Sequence, residues 1–136
     1  MKSQFGLWAV CLLLAGVFAL PQAAHAQCTL ASFNGSHAYT LSGKSAGKSV
    51  KIAGILAPDG AGNFTDTQTI TFPPGDVDVV LQDQGTYQVN ADCTITLVFH
   101  FGDDIVWFDG VLVTHGPVKG WLVSTSPDTV ISGAFM

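Results

Sequence analysis

The chain has 136 residues, of which five are lysine or arginine and ten are aspartate or glutamate, so its formal net charge is −5. A chain this acidic has few cationic groups that could neutralise phosphates. We therefore do not expect nucleic acid or anionic lipid as a partner. Residues 27–136 alone contain four lysines, ten aspartates, no arginine and no glutamate, which gives a formal net charge of −6. Because strong helix formers are missing while Thr, Val, Ile and Phe abound, this composition favours β-strands.

The first element in chain order is an N-terminal targeting segment. Residues 1–4 include one lysine, residues 5–20 form an uncharged apolar run, and residues 21–26 end in a small-residue A-x-A-like site. This order is typical of a secretory signal peptide, and the run is shorter than the roughly 20 residues that a membrane-spanning helix needs. We predict a cleaved signal peptide at 1–26, a single domain at 27–136 with no integral membrane segment, and a secreted or periplasmic protein. An uncleaved membrane anchor is the alternative.

Two of the three cysteines remain after the predicted cleavage. Cys11 lies in the signal peptide, whereas Cys28 and Cys93 form an even pair in an oxidising compartment, where disulfides are stable. Two isolated cysteines also lack the spacing of a zinc site. We therefore predict a Cys28–Cys93 disulfide, which in the chain-entropy view would stabilise the fold by about 4 kcal/mol.

Period-two alternation between regularly spaced turn signals predicts short antiparallel strands throughout the domain. The predicted strands are 37–42, 50–56, 64–71, 77–82, 85–89, 94–101, 105–114, 119–124 and 130–135. The clearest turn is at 58–63, where Pro, Gly and Asn supply the backbone angles of a tight reversal.

Alternation also assigns side chains to faces. In the third predicted strand the threonines from Thr65 to Thr71 form an outward ladder, while Phe64 and Ile70 face the other way with Asp66 and Gln68 between them. Asp83 falls between the predicted strands 77–82 and 85–89, and with Asp76 and Asp78 it could hold calcium. These aspartates lack the spacing of a calcium-binding loop, so we interpret them as part of a solvated acidic edge strand.

Eight or nine short strands joined by short loops predict an all-β fold. Up-and-down connectivity leaves two exposed sheet edges unless the sheet closes, so we predict an antiparallel β-barrel. A two-sheet β-sandwich is the second choice, because few connections are long enough for the crossovers of a Greek key.

Four segments carry a resemblance to known proteins. They are GSHAYTLSG at 35–43, DGAGN at 59–63, GTYQVNADCT at 85–94 and VLV at 111–113. In these segments the sequence resembles a group of small exported bacterial β-proteins with no established activity, and the resemblance covers most of residues 27–136. In overall plan the predicted barrel is similar to calycin-like barrels, meaning lipocalins, avidins and the allene oxide cyclase type. That similarity concerns the fold and transfers no functional residue.

Residues 100–115 hold the densest group of candidate metal ligands. His100, Asp103 and His115, with Asp104 and Asp109, could supply imidazole and carboxylate ligands to a divalent metal. Aspartate is equally expected in the hairpin turn that Asp103 and Asp104 predict. We prefer the interpretation without a metal site, and the sequence predicts no cofactor.

Asp109 and Tyr87 are the candidates for catalysis. On strict alternation Asp109 shares a face with Ile105, Trp107 and Val111, and a carboxylate on a buried apolar face has a raised pKa suited to acid or base chemistry. The alternative is that this face is the outer one, or that a bulge at the following glycine turns Asp109 into solvent.

Aromatic residues in four different strands are the candidates for a ligand pocket. Tyr39, Tyr87, Trp107 and Trp121 could converge inside a barrel around an apolar cavity, although such residues are more often ordinary core. We therefore predict an exported β-barrel that binds a small apolar ligand or a partner surface. The alternatives are a cofactor-free cyclase or isomerase, and a structural or adhesive surface protein that is oligomeric.

Overall fold

The computed structural model describes residues 27–74, 79–101 and 103–136. The predicted signal peptide at 1–26 lies outside these ranges. Within them, a short 3-10 helix, Leu30–Ser32, precedes the strands. The strands are β1 (His37–Ser45), β2 (Lys48–Pro58), β3 (Asn63–Thr71), β4 (Val79–Val89), β5 (Thr94–Phe101), β6 (Asp104–Val113), β7 (Lys119–Ser124) and β8 (Thr129–Phe135). None of the described helices has the length and apolar character needed to cross a membrane.

The strands form a closed antiparallel barrel. Each strand pairs with the next along the chain, and β8 pairs with β1, so the sheet has no free edge. Closure confirms the predicted up-and-down barrel and rules out the sandwich. Hairpins lie alternately at the two ends, so that one end carries the β1–β2, β3–β4, β5–β6 and β7–β8 connections.

Two strand boundaries differ from the prediction. The connection between the predicted strands 37–42 and 50–56 is shorter than expected, a two-residue turn at Ala46 and Gly47, whose positive φ values of 47° and 78° are typical of a tight hairpin reversal. The strands predicted at 77–82 and 85–89 are one strand, β4, because Asp83 and Gln84 pair with β3 instead of turning. Residues 77 and 78 lie outside the described ranges.

Successive side chains of β5 point alternately into the barrel interior and onto its outer wall, as the period-two pattern predicts. Ile95, Leu97 and Phe99 are buried in the core, whereas Thr96 and Val98 between them face outward and are partly exposed. Inside the barrel, the rings of Phe64 and Phe108 each pack edge to face on Phe99, at centroid distances of 4.8 and 5.5 Å. This is the geometry in which aromatic rings attract each other most.

The N-terminal segment closes one end of the barrel. Cys28 is bonded to Cys93 in the β4–β5 connection, with a Cα–Cα distance of 5.0 Å, which confirms the predicted disulfide. Phe33 is fully buried and packs on His37, Tyr87 and Phe135, at ring centroid distances of 5.1, 5.3 and 5.2 Å. The segment therefore acts as a plug at this end of the barrel interior.

Candidate functional site

An apolar cavity occupies the end of the barrel opposite the plug. Its volume is about 250 Å³, and its lining residues include Ser45 at the end of β1 and Thr129 at the start of β8. Most of its wall is aliphatic or aromatic, with Leu41, Ile52 and Ile131 among the lining residues. Tyr39 and Gln68 are the buried polar side chains of this wall.

The outer wall has a larger depression, of about 710 Å³, that we do not favour as the site. Thr65, Gln84, Thr86 and His100 line it, and all four are exposed. Ligand sites are concave, mainly apolar and carry a few well-placed polar groups, which describes the interior cavity and not this groove.

Four side chains form an inner polar cluster beside the cavity: Tyr39, Asp66, Gln68 and Asp83. The Tyr39 hydroxyl donates a hydrogen bond of 2.9 Å to Asp66 Oδ2. Gln68 Nε2 donates one of 2.9 Å to Asp83 Oδ2, and Gln68 Oε1 lies 3.4 Å from the Tyr39 hydroxyl. Two carboxylates are thus linked through a phenol and an amide.

The strand register explains how these residues meet. On β3, Asp66 and Gln68 face inward between Phe64 and Ile70, and Asp66 lies directly opposite Asp83 of β4. Carboxylates placed opposite each other in a sheet repel, so this pairing has an electrostatic cost.

Tyr39 is held in place by a glycine on the neighbouring strand. A Cβ atom at Gly54 would lie 2.9 Å from the Tyr39 ring and 2.6 Å from the carbonyl oxygen of Thr67, closer than real Cβ contacts. The ring therefore lies flat over Gly54, a pairing of aromatic residue and glycine that also occurs in other strongly curved sheets.

Burial perturbs the ionisation of the cluster. Asp66 is 3% exposed and its Oδ1 atom has no hydrogen-bond partner. Burial, and after it the nearby Asp83 charge, raises the pKa of Asp66 to about 6, although the hydrogen bond from Tyr39 acts in the opposite direction. Burial and the Asp66 carboxylate also raise the pKa of Tyr39, so its hydroxyl stays protonated.

The predicted four-residue aromatic pocket is wrong. Tyr39 and Tyr87 are buried in the interior, but Trp107 and Trp121 lie on the outer wall and are 47% and 54% exposed. Even the two tyrosines are apart, because Tyr39 lines the cavity whereas the Tyr87 hydroxyl donates to the carbonyl of Phe33 in the plug, with the carbonyl oxygen of Leu30 3.2 Å away. Tyr87 therefore has a structural role at the closed end.

The structure does not bring the catalytic candidates together. Asp109 is exposed on the outer wall and accepts a 2.7 Å hydrogen bond from the Thr96 hydroxyl. The face that it shares with Trp107 is the outer one, as the alternative interpretation held. Asp109 and Tyr87 thus lie on opposite sides of the barrel wall.

The metal candidates are also separated. Asp103 precedes β6 and His115 follows it, so the ten-residue strand places them roughly 30 Å apart. His100 is on the outer face of β5, opposite Ile105. Within the described ranges no three histidine, cysteine or carboxylate side chains are grouped as metal ligands.

Sequence reasoning missed the inner polar cluster, although part of its signal was visible. Alternation had already placed Asp66 and Gln68 on the face of Phe64 and Ile70, which is the inward face. The prediction that Asp83 lies on a solvated edge is wrong, because β4 continues through this residue and turns its side chain inward.

Comparison of the chain with protein-family models, with curated proteins and with solved structures found no match.

Proposed function

We propose that this protein is an exported β-barrel that binds a small, mainly apolar molecule in the cavity between Leu41, Ile52 and Ile131. The observation that carries the proposal is an apolar cavity with a buried carboxylate beside it, that of Asp66, whose Oδ1 atom has no hydrogen-bond partner. Export is supported by the signal-peptide pattern at 1–26 and by the disulfide.

The size of the cavity limits the ligand. Pockets for drug-sized molecules have volumes of about 300–1,000 Å³, and the cavity is slightly smaller at about 250 Å³. The plug at the other end prevents a long chain from passing through the barrel. The ligand is therefore a compact molecule.

Binding can be tested with the uncharged fluorophore N-phenyl-1-naphthylamine and residues 27–136 in the oxidised form. Ile131 and Val130 are neighbours on β8, but Ile131 lines the cavity whereas Val130 is 75% exposed on the outer wall. We expect saturable fluorescence enhancement that Ile131→Phe weakens at least about tenfold by filling the cavity, while the control Val130→Phe retains it. Circular dichroism verifies that both variants fold.

Two outcomes would contradict the proposal. One is the absence of saturable binding to the wild-type protein, and the other is equal binding to the Ile131→Phe and Val130→Phe variants. Native mass spectrometry of protein purified from the compartment of export adds an independent test, since a retained small molecule would appear as a defined mass increment.

The geometry gives no support to a cyclase or isomerase guided by Asp109 or Tyr87. Asp109 is exposed on the outer wall, and the Tyr87 hydroxyl is used to hold the plug. Neither group reaches the cavity, so the enzyme hypothesis loses both of its candidate residues.

A second candidate function, self-association, is favoured by an outer apolar face on β6 and β7. Six large apolar residues of this face are each between 41% and 54% exposed: Ile105, Trp107, Val111, Val113, Trp121 and Val123. Val111 lies opposite Trp121, and Val113 lies opposite Lys119. Contiguous apolar patches of this kind commonly mark interaction sites.

A second copy of the chain is the partner that suits this face. It carries the Asp109 carboxylate and, at its edge, the Lys119 ammonium, so it is locally neutral on a protein that is otherwise strongly acidic. A two-fold contact would therefore pair the face with itself without the repulsion expected elsewhere on the surface. Sedimentation velocity should show a dimer that Trp121→Ser dissociates and Val130→Ser does not; a wild-type monomer at all concentrations would exclude it.

A further inference from the structure

Hydrogen bonds within the inner polar cluster determine what the cavity offers to a ligand. A tyrosine hydroxyl has one hydrogen, and Tyr39 donates it to Asp66, so its oxygen can only accept from the cavity side. The amide nitrogen of Gln68 is held at Asp83, and its Oε1 makes only a long 3.4 Å contact with the Tyr39 hydroxyl. Tyr39 and Gln68, the buried polar side chains of the cavity wall, therefore present acceptor oxygens to a ligand.

Negative charge lies directly behind these acceptors. Asp66 and Asp83 face each other across β3 and β4, and Asp66 Oδ1 is buried without a partner. Asp104 lines the cavity itself and is a third carboxylate on this side of the barrel interior. In the described part of the chain every lysine is exposed and none lines the cavity, so no ammonium group of the protein balances these charges there.

We propose that the ligand of the cavity carries a cationic hydrogen-bond donor, such as a primary ammonium group, that binds at Tyr39 and Gln68. This inference rests on the proposed function and names its ligand class. The ammonium group donates to Tyr39 Oη and Gln68 Oε1, and its charge stabilises the ionised carboxylates of Asp66 and Asp83. The apolar remainder of the ligand packs against Leu41 and the aliphatic wall.

The same charges disfavour other polar ligands. A carboxylate or phosphate group would meet acceptor oxygens backed by like charges, and a neutral alcohol would form hydrogen bonds without the electrostatic gain. Among ligands of equal size and shape, the cavity should therefore bind an amine most tightly, an alcohol less tightly and a carboxylate least.

Isothermal titration calorimetry with n-hexylamine, n-hexanol and hexanoate tests this order on oxidised residues 27–136 near pH 8, where an alkylammonium is protonated as lysine is. We expect the amine to bind about tenfold or more tightly than the alcohol, and hexanoate not to bind. Asp66→Asn should reduce the advantage of the amine over the alcohol to about threefold or less without weakening the alcohol. Asp109→Asn, which removes a charge from the outer wall, should leave the advantage unchanged.

Proton release gives a second readout. Since cation binding ionises Asp66, hexylamine binding near pH 5 should release protons, detected as heats that depend on the ionisation enthalpy of the buffer. Asp66→Asn should abolish this release.

The outcomes separate this inference from the proposed function. Equal binding of the amine and the alcohol would overturn the cationic ligand and leave the apolar cavity as a binding site. An amine advantage that stays at about tenfold in Asp66→Asn would also overturn it, because the cation would then bind elsewhere. If none of the three compounds and no hydrophobic fluorophore binds, both proposals fail.

Discussion

Asp66→Asn should change how the stability of the barrel depends on pH. Asparagine has nearly the same shape as aspartate and keeps an oxygen that can accept the hydrogen bond from Tyr39, but it cannot ionise. The substitution therefore removes the titration of residue 66 while retaining most of its packing. The quantity of interest is the difference in free energy of unfolding between variant and wild type.

The direction of the effect follows from the raised pKa. Asp66 has a pKa of about 6 in the folded protein against an ordinary value of 3.8, so the folded state retains a proton that the unfolded chain has lost between these values. The stability associated with this proton is fully present below the unfolded pKa and is lost as the pH rises through about 6. A shift of about two pH units corresponds to about 3 kcal/mol, which we reduce to about 2 kcal/mol for screening by solvent at the open end of the barrel.

The assay is guanidinium chloride unfolding followed by circular dichroism at constant ionic strength, with the disulfide intact in both proteins. Between about pH 4 and about pH 8, Asp66→Asn should gain about 2 kcal/mol relative to wild type. Asp59 and Asp92 change the stability with pH in the opposite sense, because hydrogen bonds from Asn63 and Thr94 lower the pKa values of these carboxyls. Both are unchanged in the variant, so their effects cancel in the difference.

The reasoning would be refuted if the difference in free energy of unfolding between variant and wild type stayed constant across this pH range. It would also be refuted if the variant became less stable relative to wild type as the pH rises. Either result would mean that the Asp66 carboxylate is well solvated in the folded protein. Asp109→Asn is the matched control, because it also removes one negative charge from an acidic chain but does so on the exposed outer wall. It accounts for the general effect of net charge on stability.

Three further predictions follow from the barrel. Replacing Cys28 and Cys93 by serine opens a loop of 65-residue separation and should lower the free energy of unfolding by about 4 kcal/mol, measured by chemical denaturation. Gly54→Ala should push the Tyr39 ring out of place and cost about 1–3 kcal/mol, with a matching loss of probe affinity in the fluorescence titration. Trp121→Ser should leave probe affinity unchanged, since this indole lies on the outer wall; an altered affinity would contradict that placement.

Period-two alternation predicted the fold well because most strands have one clearly apolar face. It failed to identify the inner face of β6, where both faces are apolar: Ile105, Trp107 and Val111 point out, while Phe108 and Leu112 point in. The sequence pattern is the same for either orientation. The limited volume inside a closed barrel decides between the two orientations of β6. It accommodates the face with the smaller side chains, which includes a glycine at position 110.

The candidate site was harder to predict for the opposite reason, since both faces of β3 are polar along its middle. Threonine on one side and Asp66 with Gln68 on the other give no contrast in hydropathy, so the flanking Phe64 and Ile70 are what indicates the buried side. The partner Asp83 was also hidden, because Gln-Asp-Gln-Gly is as typical of a turn as of a strand. Recognising the cluster required the register between β3 and β4, which depends on the whole sheet.

The inner polar cluster is costly for the fold, and this cost is an argument for function. Apolar residues would fill these positions with no repulsion and no unpartnered oxygen, as they do on β5. Conflicts between local energetics and the overall fold are expected where a protein carries out its task. If the cluster serves to bind a cation, Asp66→Asn should both stabilise the protein near pH 8 and reduce its preference for amines to about threefold or less. A variant that gained the stability and kept the preference would show that the buried carboxylate has no part in binding.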